Sequence, residues 1–124
     1  MLPVVLFLSA GLFLSTENQL QGEWMLLETA SETRSDRGDE AIRMSITGKA
    51  VVMKFRELLT NRGSVTLRPG IIDLQFGDGQ PVRGVYSLEG DILILCFAEP
   101  GQSRPISLTP RGTQWLERWQ RVRP

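Results

Sequence analysis

The chain has 124 residues, enough for a single domain with one hydrophobic core, and its fourteen lysines and arginines balance fourteen aspartates and glutamates. This zero net charge argues against a general nucleic-acid binder, which usually has a basic surplus. The chain contains no histidine and a single cysteine, Cys96. Histidine-based acid–base catalysis, Ser-His-Asp and Cys-His nucleophile systems, histidine-ligated metals, intrachain disulfides and cysteine-rich zinc sites are therefore excluded. No residue pattern selects a metal or a cofactor.

The first fifteen residues form an uncharged segment rich in leucine, valine and phenylalanine. This segment is shorter than the roughly 20 residues that span a bilayer, but it fits the hydrophobic region of a secretory signal. It lacks a preceding lysine or arginine and an A-x-A cleavage site, so an apolar strand or core helix is the alternative. We predict an exported protein, periplasmic, envelope-associated or secreted, with its domain at residues 16–124 and an N-terminal segment whose deletion leaves that domain folded. Without a signal the protein would be cytoplasmic.

From Gln21 onward, short segments of alternating apolar and polar residues are separated by turn residues every 8 to 12 positions. This spacing predicts an all-β sandwich or barrel. Strands are expected at 42–47, 51–55, 65–67, 71–76, 82–88, 91–97 and 106–108, and turns at 48–49, 61–63, 68–70, 77–81, 89–90, 99–102 and 110–112. The polar residues 31–40 have no periodicity and predict a mobile loop.

Two later segments bear on how the sheet is completed. Residues 92–97 are apolar on both faces, which predicts a central strand covered on its outer side, with Cys96 as a buried small hydrophobe. Residues 114–122 fit either a helix or a strand, and we favour a strand because it would close a barrel. Residues 16–42 carry seven acids against two arginines, and residues 101–124 carry five arginines against one glutamate. These segments are expected to lie side by side and to pair their charges, unless they form two opposed patches for a polar partner.

Three stretches carry a resemblance to a known family. Residues 20–24 (Leu-Gln-Gly-Glu-Trp) open the domain, residues 84–93 supply a hairpin, and residues 95–101, followed by Arg104 and Pro105, supply the next strand and turn. In this order and spacing they resemble the short lipocalin-like domain of unknown function that is common in planctomycete bacteria. The resemblance covers roughly residues 20–122. It implies a small up-and-down antiparallel β-barrel or half-open sandwich of about eight short strands, often behind an export signal, and no catalytic residues.

A barrel of this kind would point one set of large side chains inward. That set is Trp24, Met44, Phe55, Phe76, Tyr86 and Phe97. Methionine and aromatic side chains give an adaptable lining, so the leading hypothesis is a non-catalytic barrel that binds a small apolar or amphipathic ligand. In so small a barrel the same residues can instead simply fill the core, with Trp24 as a plug at one end.

Two other classes of function remain. An exported structural or protein-interaction module of the cell envelope, with a filled core, is suggested by the doubly apolar strand 92–97 and by Trp115 and Trp119. An enzyme with paired carboxylates would draw on Asp73, Asp78, Glu89, Asp91 and Glu99. Most of these acids fall at turns, where they favour the local backbone. We therefore expect no enzymatic activity, no cofactor, no nucleic-acid partner and no membrane span.

Overall fold

The computed structural model describes residues 18–123, which form one short 3-10 helix and nine strands. The helix is Asn18–Leu20, and the strands are β1 (Gly22–Ala30), β2 (Ser35–Arg37), β3 (Ile42–Thr47), β4 (Ala50–Phe55), β5 (Leu58–Arg68), β6 (Ile71–Gln75), β7 (Val82–Glu89), β8 (Ile92–Phe97) and β9 (Trp115–Arg121). The predicted signal segment lies outside the described residues.

The strands form a closed antiparallel barrel. Each strand from β3 to β8 pairs with the next along the chain, and β1 pairs with both β3 and β9, so eight strands complete the ring. The ninth strand, β2, is an addition that pairs with the last three residues of β1. This small antiparallel barrel confirms the predicted all-β fold class.

The closing strand β9 is extended, which settles the ambiguity between strand and helix at residues 114–122. It pairs with β8 on one side and β1 on the other. Its fully buried Trp119 pairs with the fully buried Leu93 of β8, whereas the next residue, Gln120, is exposed. Burial that alternates with a period of two is typical of a strand with one face in the core. The pairing of β9 with β1 and β8 also gives hydrogen-bond partners to backbone groups that would lie at the edges of an open sheet.

One end of the barrel is closed by Trp24. Its side chain is fully buried, and its Nε1–H donates to the carbonyl of Leu20 in the 3-10 helix at 3.0 Å. The guanidinium of Arg121 lies 4.3 Å from the centre of the indole and donates to the carbonyl of Gln21 at 2.8 Å and to that of Gln19. The predicted plug is therefore confirmed, and Arg121 covers it by a cation–π contact.

The turn predicted at residues 61–63 is wrong, because these residues lie inside β5. The chain reverses earlier, at Arg56 and Glu57, which have φ angles of 52° and 68°. Gly63 is needed for close approach rather than for a turn, since a Cβ there would lie 2.3 Å from the carbonyl oxygen of Gln75 and 2.7 Å from the ring of Phe76. A glycine that makes room for a neighbouring strand looks, in the sequence, like a turn glycine.

Two further local predictions are corrected. Residues 31–40, predicted as a loop without regular structure, contain β2. Residues 106–108, predicted as a strand, belong instead to the segment 98–114, which has no strand and leaves Ile106 88% exposed. The prolines at positions 105 and 110 lack the N–H that a ladder requires.

The 98–114 segment is fastened to the outside of the barrel. Arg104 donates to both carboxylate oxygens of Asp73 on β6, at 2.5 and 3.1 Å, and to the carbonyl of Gly84 on β7 at 2.9 Å.

Cys96 follows the inward-facing Leu95 on β8 and therefore lies on the outer face of the strand, yet it is fully buried. The prediction of a central strand apolar on both faces is confirmed, and burial raises the pKa of the Cys96 thiol.

The acidic and basic ends of the chain meet, but their charges do not pair as expected. Within residues 18–123, no ion pair joins β1 to β9; instead Arg121 and Arg123 approach Asp91 at 3.5 and 2.5 Å. The Arg123 guanidinium holds the pKa of Asp91 below its usual range. Closure therefore rests on backbone pairing and on the packing around Trp24.

Replacing Trp24 with alanine should lower the free energy of unfolding by about 3–5 kcal/mol, because a fully buried large aromatic is removed and leaves a cavity. Phe55→Ala is the matched control, since that aromatic side chain is 38% exposed and its loss should cost about 1 kcal/mol or less. Urea denaturation of both variants measures the difference. Equal losses would contradict the role of Trp24 as the plug.

Candidate functional site

The barrel contains a cavity of about 190 Å³ that opens at the end opposite Trp24. Its lining comes from seven of the eight barrel strands and their continuations: Met44, Met53, Asn61, Leu74, Phe76, Val82, Phe97, Trp115 and Glu117. Met44 lies opposite Trp24 in the β1–β3 ladder, so the cavity ends where the plug begins. The site is thus an apolar chamber with a carboxyl group in its wall.

Glu117 is held between two tryptophans of its own strand. Its Oε2 accepts a hydrogen bond from Trp115 Nε1–H at 2.8 Å, and its Oε1 accepts one from Trp119 Nε1–H at 3.0 Å. Side chains two residues apart on a strand point to the same face, so the Trp-x-Glu-x-Trp pattern places all three inside the barrel. The two bonds fix the position of the carboxyl group.

Burial raises the pKa of Glu117, because removal from water disfavours the charged form. The hydrogen bonds from Trp115 and Trp119 act in the opposite direction, since both donate to the carboxylate. Among the described residues 18–123, Glu117 is the one ionisable side chain in the cavity lining. The carboxylate therefore has donors but no countercharge in this wall.

The aromatic part of the lining is positioned by Gly84. A Cβ at this residue would lie 2.6 Å from the ring of Phe97, its ladder partner, so only glycine leaves the ring its present position. Phe97 in turn packs on Trp115, with 5.7 Å between ring centres and an angle of 39° between planes. This tilted contact is favourable for two aromatic rings. It links Phe97 to Trp115, the indole that donates a hydrogen bond to Glu117.

The structure divides the six residues predicted to line a ligand site. Met44, Phe76 and Phe97 line the cavity, whereas Trp24 belongs to the closed end. Tyr86 is buried in the core outside the lining, and Phe55 is a partly exposed residue at the rim. Half of the predicted set therefore comes together at one site.

Sequence reasoning missed the carboxyl group at the centre of the site. The charge pattern identifies Glu117 only as the single acid of a basic C-terminal segment, and the sequence suggests Trp115 for an interaction surface. The available signal was the alternation Trp115, Glu117, Trp119 on a predicted strand, which places the acid on the same face as two large apolar residues. An acid on an apolar face is uncommon without a partner.

Larger depressions exist outside the barrel interior. One, of about 490 Å³, lies between the start of the described chain and the β3–β4 turn, where Gln21 exchanges hydrogen bonds with the backbone of Gly48. Another of about 490 Å³ lies beside β1 and is lined partly by Arg37, Asp39 and Glu40. Neither combines an apolar interior with a fixed polar group, so the barrel cavity is the candidate site.

The raised pKa of Glu117 predicts a specific pH dependence of stability. Unfolded, Glu117 titrates near 4.5, and the folded protein holds this proton to higher pH. Stability therefore falls as pH rises from about 4.5 through the raised folded pKa. Glu117→Gln removes this titration, so the difference in unfolding free energy, wild type minus variant, should decrease over that window.

Urea denaturation between pH 4 and pH 8 measures this difference. The variant should also be less stable at the acid end by about 1–3 kcal/mol if the amide turns a donor towards one indole N–H and leaves it without an acceptor. Glu99→Gln, at an exposed position near the same end of the barrel, is the control and should run parallel to wild type. A flat difference for Glu117→Gln would contradict the prediction.

Comparison with known proteins provides no relative for this chain: no protein-family model, curated protein or solved structure matches it. Within residues 18–123 no helix has the length and apolar character needed to cross a membrane. The same residues contain no cluster of three or more cysteine, aspartate or glutamate side chains placed to hold a metal ion.

Proposed function

We propose that this protein is a non-catalytic, exported β-barrel that binds a small apolar or amphipathic ligand in the cavity beside Glu117. The observation that carries the proposal is the cavity itself, about 190 Å³ and lined mainly by methionine, leucine, valine and aromatic side chains. Small-molecule sites combine an apolar wall with a few fixed polar groups. Glu117, with both oxygens held by indole donors, is such a group.

The size of the cavity supports a small ligand. A dry engineered cavity of 150 Å³ in another protein holds benzene, whereas pockets for drug-sized ligands measure about 300–1,000 Å³. At about 190 Å³ the chamber fits a molecule somewhat larger than benzene, or one end of a longer chain that leaves through the mouth. Met44 and Met53 on adjacent strands can adjust their unbranched side chains to such a guest.

The proposal that the protein is not an enzyme is supported by the uses of its acids. Asp73 holds Arg104, and Asp91 holds Arg123. Each of these carboxylates is part of a contact between separate segments, and neither lines the cavity. The proposal of export is supported by the apolar residues 1–15. The resemblance to the lipocalin-like family is supported by residues 20–24, 84–93 and 95–101.

Methyl NMR of the methionines tests ligand binding directly. The four methionines include Met44 and Met53 in the cavity wall and Met25 on β1 outside it. Titration with 1-hexanol should produce saturable shifts of the Met44 and Met53 methyl signals, because the alcohol enters the cavity, while the Met25 signal stays in place. Absence of saturable shifts, or equal shifts at Met25, would overturn the proposal.

A cavity-filling variant provides the matched test. Val82→Phe adds a ring at the cavity wall and should abolish the saturable shifts. Val52→Phe adds the same volume next to Met53, but Val52 lies on the outer face of β4 and does not line the cavity, so the shifts should persist. An unchanged Met25 signal in each variant reports that the barrel has kept its fold. Retained binding by Val82→Phe would place the ligand elsewhere.

A second candidate function is an interaction module, and one observation favours it. The β4–β5 tip, residues 55–59, exposes Phe55, Leu58 and Leu59 by 38%, 70% and 52%. The turn itself uses two non-glycine residues with positive φ, Arg56 and Glu57, a conformation that costs of order 1–3 kcal/mol each. Adjacent exposed apolar side chains are typical of contact surfaces.

Replacing both Leu58 and Leu59 with serine tests this candidate. If the tip contacts an envelope protein, co-sedimentation with an envelope fraction should fall while 1-hexanol binding at Met44 and Met53 persists. Ile106→Ser is the control, because Ile106 is 88% exposed on a different segment. Unchanged co-sedimentation of the double variant would exclude the tip as the contact surface.

A further inference from the structure

We propose that the ligand of this cavity is a small organic ammonium, whose charged group binds the Glu117 carboxylate and whose apolar body occupies the space among Met44, Met53 and Phe76. This inference rests on the proposed function and names the class of ligand. It follows from the charge, the hydrogen bonds and the composition of the wall.

The charge of the wall selects a cation. Of the lining residues that the structure describes, Glu117 is the one that is ionisable, and Asn61 is the one with an uncharged, non-aromatic polar side chain. A ligand carboxylate would therefore meet a like charge without an arginine or lysine beside it. An ammonium supplies the countercharge that the described lining lacks.

The hydrogen bonds favour the ionised form of Glu117 as the binding partner. Each oxygen receives one indole N–H, from Trp115 and Trp119, and an ionised carboxylate only accepts hydrogen bonds. Each oxygen keeps further acceptor capacity, which an ammonium with three donors can use. Burial raises the pKa of Glu117 and so opposes ionisation in the empty cavity, and an ammonium beside the carboxylate would offset this penalty.

The remaining wall suits the rest of such a ligand. Phe76, Phe97 and Trp115 contribute aromatic rings, whose negative faces attract organic cations. Leu74, Val82 and the two methionines accept an alkyl or aryl body. Neutral alcohols of the same size lose the ionic contact, and alkyl carboxylates are repelled, so the wall discriminates by charge at constant shape.

Three six-carbon probes test this discrimination on the unmodified protein. Hexylamine, 1-hexanol and hexanoate share one chain and differ in charge at neutral pH. Titrations followed at the Met44 and Met53 methyl signals should show hexylamine binding about tenfold or more tighter than 1-hexanol, the scale of one charge-assisted hydrogen bond. Hexanoate should bind more weakly than 1-hexanol.

Glu117→Gln tests the residue. This variant should lose the tenfold preference for hexylamine over 1-hexanol, because the carboxylate charge is removed, and an unchanged Met25 methyl signal reports that the barrel has kept its fold. Glu99→Gln, with the same loss of charge at an exposed position, should keep the preference. If Glu117→Gln fails to fold, the three-probe series on the wild type still decides.

The outcomes separate the two proposals. Binding of 1-hexanol with no preference for hexylamine, or a preference that persists in Glu117→Gln, overturns the ammonium proposal and leaves the ligand-binding barrel in place. Binding of none of the three probes at the cavity methyls overturns both. A preference for hexanoate would also overturn the ammonium proposal, because it requires a neutral Glu117 that donates a hydrogen bond.

Discussion

The pairing of β1 with β9 closes the barrel, and the core, the plug and the cavity all follow from this closure. It joins the first and last strands of the ring through six register positions and leaves no unpaired edge between them. A sheet of this size that stayed open would expose backbone donors and acceptors along two edges. Closure also converts one face of every strand into an enclosed interior, so the properties of that interior follow from which residues face inward.

The two ends of the interior are built differently, and the difference separates stability from function. At the closed end, Trp24 is sealed by the 3-10 helix and by Arg121, whose charge remains at the surface of the plug and is neutralised by Asp91. At the open end, the side chains that meet leave about 190 Å³ unfilled. A single strand, β9, supplies both Arg121 and Glu117, so the plug and the candidate site share one register.

Glu117 places a charge where burial penalises it. A barrel selected only for stability would gain by apolar side chains in place of the whole hydrogen-bonded set of Trp115, Glu117 and Trp119, because the indole donors offset the loss of carboxylate hydration only in part. The carboxylate nevertheless organises Trp115 and Trp119, and it is the one ionisable group that the described part of the chain brings to the cavity. Unfavourable local choices of this kind concentrate at functional sites.

The amino-acid sequence predicts the all-β class, the alternating core positions, the 82–97 hairpin and the plug role of Trp24, because these depend on period-two patterning and local turn chemistry. It did not determine that Gly63 makes room for β6, that residues 106–108 are not a strand, or that Phe55 lies at the rim. The sequence did not predict the cavity either, because an unfilled volume depends on how side chains from seven strands pack together. Only closure of the barrel turned Glu117 from one acid in a basic segment into the polar group of an apolar chamber.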